Sequence, residues 1–492
     1  AIYGTDAAAG VVNIITRKDF DGFAFGYSKT KQRYSGGGDH DQAYAVGGSS
    51  SEKTSNIITF QWDQDAYMGI GNKPWVDKNY RSIYGTPMSY LGTDKAFHPG
   101  AACSPTKANG QYCSYNYMDE YELGAPARKL SILDDFTYNL SKNTKLGVRL
   151  FATKKSVHAG GLKDVIDEST NGYLVSQAAI QANHADIDSN AKYQANPDKA
   201  DALGVLVHGR IAGAGHSTTQ TDQLTYSGAT SISHDFDGGQ NLEIAFSESR
   251  IERTHNWINY WDDSRLSDAV WDGSYDVFAV PAQGNLDKYR LDVADRSQSI
   301  ARALDATFTG DLELASRTFG YAVGVSQIRE SYLNQAANNK LAGLVKDLGG
   351  GGGEGERKAN AAYAELKIPI VSTLELSLAG RYDDYSDFGD TFNPAVGLQY
   401  RIGKEWFFRG NYGTGFKAPS LRDVHDGPAT YYTSATDYKK CNEANASGDA
   451  AAIQQYCEFG VSGTIINGGN KDLHPEKSQT FNLFIGYEPV SG

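Results

Sequence analysis

Leu374-Glu375-Leu376-Ser377-Leu378-Ala379-Gly380-Arg381-Tyr382-Asp383 alternates apolar and polar side chains with a period of two. Successive side chains of an extended strand point to opposite faces. Leu374, Leu376, Leu378 and Tyr382 therefore share one face, and Glu375, Ser377, Arg381 and Asp383 take the other. The pattern recurs along the chain. Ile132, Phe136, Tyr138 and Leu140 stand against Ser131, Asp135, Thr137 and Asn139; Leu242, Ile244 and Phe246 against Glu243, Ala245 and Ser247; Phe481, Leu483, Ile485 and Tyr487 against Asn482, Phe484 and Gly486. A single segment of this kind reads best as a half-buried strand in a soluble sandwich.

The connections change that reading. Short turns fall at Ser141 to Lys145, Asp235 to Gln240, Gly310 to Leu314, Pro369 to Thr373 and Gly403 to Glu405. Between them run long stretches: Tyr67 to Arg128, Ser156 to Ser217, Tyr260 to Ser297, Leu333 to Glu356 and Gly415 to His474. A sandwich has no reason to keep its long loops at one end of successive hairpins, whereas an outer-membrane barrel has short periplasmic turns and longer extracellular loops. Ser386 to Asp390 is the exception, short where a long loop is due. Tyr138, Tyr382, Tyr385, Tyr400, Trp406 and Tyr487 lie near strand ends, where amphipathic rings suit the headgroup level. About fourteen strands fit between Gly22 and Glu488, against roughly 22 in a plugged outer-membrane transporter. The expected fold class is all-β: a transmembrane antiparallel β-barrel, partial, about 14 strands of about 22.

Composition agrees with strands and turns. The 492 residues include 54 Gly, 31 Tyr and only 3 Met, and aromatic residues make up 12%. The net charge of -13 argues against nucleic-acid binding, which needs a basic face. No apolar run is long enough for a membrane helix, and a mean hydropathy of -0.48 suits a barrel, whose strands need only about 9 to 11 residues and alternate polar with apolar. Ala1 to Thr16 contain neither a start Met nor a secretory signal, so the chain reads as truncated at its N-terminus; the end at Pro489 to Gly492 lacks a terminal aromatic, so further strands are expected there too.

Five consecutive glycines, 349 to 353, read as a flexible loop tip, and Leu174 to Ala185 has the spacing of a short helix. The four cysteines form two close pairs, Cys103 with Cys113 and Cys441 with Cys457, both inside long loops. Disulfides are the natural inference, since the C-x-x-C spacing of a metal site is absent. Four cysteines allow three connectivities, and proximity favours this one. Asp383, Asp384, Asp387 and Asp390 lack the spacing of a calcium loop and read as a solvated turn. The ten His are scattered, and His208, His216, His234 and His255 read as surface or lumen residues. There is no H-E-x-x-H, G-x-S-x-G, Walker A or dinucleotide motif, so no catalytic residue, metal or cofactor is assigned.

Three segments resemble those of TonB-dependent receptors. Ile2-Tyr3-Gly4-Thr5-Asp6-Ala7-Ala8-Ala9-Gly10-Val11-Val12-Asn13-Ile14-Ile15-Thr16 resembles the last strand region of the plug domain. Arg381-Tyr382-Asp383-Asp384-Tyr385-Ser386-Asp387-Phe388-Gly389 is followed by Asn393-Pro394 and by Asn411-Tyr412-Gly413-Thr414-Gly415-Phe416-Lys417-Ala418-Pro419-Ser420-Leu421. The third is Gly469-Asn470-Lys471-Asp472-Leu473-His474-Pro475-Glu476-Lys477-Ser478. Together, in this order, they cover nearly the whole chain. The resemblance implies residues 1–18 as the end of a plug domain and residues 19–492 as the barrel, truncated at its C-terminus. It further implies the outer membrane of a Gram-negative bacterium, contact with its lipid and lipopolysaccharide, energy through TonB and its inner-membrane complex, and import of a scarce bulky ligand. A ferric siderophore, an iron chelate, ranks first; cobalamin or oligosaccharide import, or a passive porin or adhesin, are the alternatives. Loop aromatics that could stack on such cargo are Tyr84, Tyr90, Tyr115, Trp257, Trp261, Tyr431 and Tyr432, each equally able to pack the loops together. Arg149, Arg381 and Arg409 are expected to face the lumen and contact the plug.

Overall fold

The computed structural model describes residues 16–488 apart from 18–19, 35, 72, 77–81, 105–111, 117, 119, 162–164, 167–172, 212, 214, 281, 283, 315–316, 347, 404, 454–455 and 458–460. The segment Ile2 to Ile15 lies outside the described residues. Fourteen strands form one antiparallel sheet in which every strand pairs with its neighbours in sequence. They are β1 (Gly22–Thr30), β2 (His40–Ser50), β3 (Thr54–Asp65), β4 (Ala127–Asn139), β5 (Thr144–Gly160), β6 (Thr218–Asp235) and β7 (Asn241–Trp261). They continue as β8 (Arg290–Leu314), β9 (Arg317–Gln335), β10 (Gly353–Val371), β11 (Leu374–Tyr385), β12 (Gly389–Ile402), β13 (Trp406–Lys417) and β14 (Glu476–Tyr487). Turns at 51–53, 140–143, 236–240 and 372–373, with the short links from Leu314 to Arg317 and from Ile402 to Trp406, make one rim. Loops 31–39, 66–126, 161–217, 262–289, 336–352 and 418–475 leave from the other, together with the short 386–388 connection.

One face of the sheet is apolar and uncovered. Register pairing lines up Leu366, Leu378, Val396, Tyr412 and Phe481 across β10 to β14, all exposed. In water such a contiguous row invites association; against lipid it is what a spanning strand requires. Tyr400, Trp406 and Tyr487 end this face at the short-turn rim, with the Trp406 and Tyr487 rings 4.4 Å apart. Tyr382, opposite Phe392, marks its other border. Tyr385 departs from the expected belt: its odd position turns it to the opposite face, where its ring packs 5.4 Å from the Phe416 ring.

Three boundaries differ from the sequence reading. The Gly310 to Leu314 turn lies later, because β8 stays paired with β9 as far as Leu314 with Arg317. The upper parts of β5, β7, β8, β9 and β10 extend into stretches read as loops, since backbone pairing continues where side chains no longer meet lipid. The glycine run is not a free tip. Leu348–Gly350 pairs with Ala429–Ala435, and a Cβ on Gly350, at φ +64°, would sit 2.1 Å from the Pro428 carbonyl oxygen. Glycine is required there by close backbone approach.

The main hydrophobic core is in the loops and not in the wall. Strand Ala202–Arg210 pairs with Ser89–Leu91, Val165–Ile166, Leu174–Ser176 and Tyr193–Asn196. The Gln177–Asn183 helix, near where a helix was expected, is capped by Ser176 Oγ accepting from the Ala179 N–H and buries Ile180. The Asp263–Trp271 helix, capped by Asp262, buries Leu266, Ala269 and Val270. These side chains join Met88, Val205, Val207, Tyr275 and Phe278 in a single cluster drawn from three loops. Among the described residues no helix is long and apolar enough to cross a membrane.

Candidate functional site

The loop core divides the aromatic candidates. Trp261, at 0% exposure, and Tyr90 are interior members of it. Their rings hold loops together and are withdrawn as ligand contacts, because a ring enclosed by protein offers no face to cargo. Tyr84 stacks on the His208 imidazole at 4.3 Å, and Phe97 and Tyr112 close round the same ring at 5.2 and 5.0 Å. His208 is thus a buried packing residue and not the surface or lumen residue expected from sequence. Tyr115 lies under the Arg210 guanidinium at 4.9 Å, and its backbone exchanges two 2.8 Å hydrogen bonds with Ser82.

Trp257 and Tyr431 sit differently. Trp257, half-buried near the end of β7, donates from Nε1 to Asp295 Oδ2 at 3.3 Å, beneath the Lys340 ammonium at 5.2 Å. His255 and Tyr260 rings flank it at 4.5 and 5.5 Å. Burial, then the nearby Arg253 cation, hold the His255 imidazole below its ordinary value. Tyr431 keeps 39% exposure on Ala429–Ala435, the middle strand joining Leu348–Gly350 to Val461–Asn467. The Tyr432 side chain lies outside the described residues.

Sequence reasoning missed Asp295, Lys340 and Asp426. Asp426 accepts from Tyr332 and Asn334, each at 3.0 Å, and so ties the 418–475 loop to β9. Isolated Asp and Lys residues carry no sequence pattern that singles them out.

The polar face of the sheet contacts Thr16. Arg149 Nη2 donates to Thr16 Oγ1 at 3.2 Å, and Arg149 pairs with Asp135 across β4 and β5. Arg381 points to the same face, its Nε 2.9 Å from Asp383 Oδ1 with both groups nearly fully buried, while Arg409 donates to Gln399 at 2.7 Å. The acidic turn is therefore not wholly solvated: Asp383 is buried with Arg381, and Asp387 binds Arg357 at 2.8 Å. Among the described residues no three His, Cys, Asp or Glu side chains are grouped to hold a metal. Sulfurs of Cys103 and Cys113 lie 2.06 Å apart, and those of Cys441 and Cys457 2.12 Å apart, the separations of bonded pairs. Such a surface can bind and position a molecule.

Comparison with known proteins fits this architecture. Residues 172–489 match the family model for the TonB dependent receptor-like beta-barrel. The siderophore receptor PirA of Acinetobacter baumannii superposes with a TM-score of 0.54 at 12% identity, covering 99% of this chain and 54% of that one. The ferric enterobactin receptor PfeA of Pseudomonas aeruginosa, in complex with BCV-L6, gives 0.56 at 14% identity, covering 100% and 55%. A curated relative, the iron-regulated outer membrane virulence protein of Vibrio cholerae, is 25% identical over 132 residues, 27% of this chain and 16% of that protein. The chain spans about half the length of the solved structures it matches. Its antiparallel sheet, one-sided apolar face and matched family model place this chain in the TonB-dependent receptor family.

Proposed function

We propose that the chain forms the wall and outer loops of an active outer-membrane importer whose cargo is a ferric siderophore. The observation that carries this reading is the folded loop core: three long loops share one buried cluster on the long-loop rim. Beside it, a second cluster of Val293, Val345 and Leu348 packs Trp257, and Leu348 pairs in register with Tyr431, a fixed arrangement that a passive pore or a simple anchor does not need. The Arg149 to Thr16 contact supports residues 1–18 as the end of a plug seated against the polar face, with Arg381 and Arg409 as further contacts. Through that plug TonB and its inner-membrane complex supply the energy. Residues 19–492 are then barrel, embedded in outer-membrane lipid and lipopolysaccharide. The names of the relatives favour iron over cobalamin or oligosaccharides. Capture and passage are the work this reading assigns to the arrangement.

The test is growth and uptake under iron limitation in a deletion strain carrying the full-length gene. Restored uptake of ferric siderophore that depends on TonB is expected. Unchanged uptake between deletion and complemented strains would remove the iron assignment and leave the family assignment standing.

A further inference from the structure

Near its end β7 falls out of step with β8. Trp257 stands opposite Val293 and Tyr260 opposite Leu291, so Ile258 and Asn259 together face the single residue Asp292. Two residues against one make a β-bulge, and bulges re-aim the side chains that follow them. Asn259 holds this one with a φ of +64°, a left-handed backbone that residues other than glycine adopt at a cost, asparagine at less than most. Its amide is bonded on both sides. Nδ2 donates to the His216 carbonyl at 2.7 Å, and Oδ1 accepts from Arg290 Nη1 at 2.5 Å. The bulge is therefore fastened where loops 161–217 and 262–289 return to the wall.

The consequence is a change of parity. Along an unbroken strand Tyr260 would share the face of Ile258, and Trp261 that of Trp257. The extra residue reverses both. Tyr260 joins Trp257 against Val293, the two rings 5.5 Å apart and 80° to one another. Trp261 turns away into the loop core, fully enclosed, with the Arg290 guanidinium 5.3 Å over its ring. One inserted residue thus sends two adjacent aromatic rings to two separate clusters.

We propose that Asn259 is a positioning residue of the cargo mouth: its left-handed backbone turns Tyr260 in beside Trp257, so that the two rings meet the incoming chelate together, while Trp261 holds the cap. A lone ring leaves a planar group free to rotate against it. Two rings at nearly a right angle offer a face and an edge, a corner that fixes orientation. The inference rests on Trp257 as a cargo contact, from the function proposed above, and adds the element that orients it.

The experiment uses the full-length receptor purified from outer membranes, as wild type and with two substitutions. Asn259→Gly keeps the left-handed backbone and removes the amide, whereas Asn259→Val refuses that backbone. Near-ultraviolet circular dichroism, with Trp257→Phe as the reference, reads the coupling of Trp257 to Tyr260. Quenching of Trp257 emission by ferric tris-catecholate, ferric tris-hydroxamate and ferric citrate reads binding. Asn259→Gly should keep the coupling and bind within about twofold of wild type. Asn259→Val should lose the coupling and bind about tenfold more weakly. Heat-modifiable migration on gels confirms that each barrel is folded, and if Asn259→Val is not, Tyr260→Ala should show the same weakening and Tyr260→Phe should not. Loss of the coupling in both Asn259 variants would assign the effect to the amide and overturn the proposal, as would an unchanged coupling in Asn259→Val or wild-type binding by Tyr260→Ala. Quenching of the wild type by none of the three chelates would overturn the cargo role of the pair and with it the function proposed above, while the coupling alone judges the bulge.

Discussion

Lys340 Nζ lies 2.5 Å from Asp295 Oδ2, joining the 336–352 loop to β8 with the lysine side chain only 6% exposed. The same carboxylate accepts from Trp257 Nε1 and, through Oδ1, from the Ala337 N–H. Removing the cation would strand a largely enclosed carboxylate. Lys340→Met should therefore loosen this loop by about 3 kcal/mol, the low end for a broken buried pair because Asp295 keeps some solvent. Faster tryptic cleavage after Lys346, the tryptic site that remains in 336–352, and altered Trp257 emission are the readouts, and adding Asp295→Leu should restore part of the loss.

The paired sulfurs at 103 with 113 and 441 with 457 predict two cross-linked peptides in unreduced digests of protein taken from the membrane fraction. Each closes a short segment, and loop-closure entropy of about 3 kcal/mol is the expected scale. Cys441→Ser with Cys457→Ser should speed proteolysis of 418–475 without changing barrel assembly. Free thiols at all four sites would refute the pairing.

Leu378 lies in the middle of the apolar row, and Ser377 beside it faces the other way. Leu378→Arg should destabilise the barrel in a bilayer by about 2 to 4 kcal/mol, whereas Ser377→Arg should cost much less. Urea titration of protein refolded into vesicles separates them.

His255 lies beyond the charged belt of β7, outside the spanning part, and its depressed pKa favours the neutral ring in the folded loop. Local stability is therefore full above the ordinary value of 6.5 and falls as acid protonates the unfolded form first. Trp257, with its ring 4.5 Å away, should report this as a fluorescence change on acidification below that value, absent in His255→Gln.

How much of this was legible depended on range. Alternation revealed the wall because lipid imposes a constraint on every second residue, as at Leu374, Leu376 and Leu378. Where β7 rises past the lipid, Glu248, Arg250 and Glu252 take the outward positions, the constraint lapses, and pairing continues unseen in the sequence. The loop core was illegible for a different reason. Met88, Val207 and Leu266 come from three separate loops, and no local pattern says that they meet. Trp261 and Tyr431 look alike as loop aromatics, yet packing encloses one and leaves the other open.

The central claim, a lipid-embedded wall with its large connections outside the cell, is tested by labelling single cysteines on intact cells with a membrane-impermeant maleimide. The native cysteines are paired and stay silent, so Glu443→Cys in the 418–475 loop and Lys142→Cys in the 140–143 turn report alone. The account predicts labelling of position 443 on intact cells and of position 142 only after the outer membrane is opened. Equal labelling of both, or the reverse order, would contradict it.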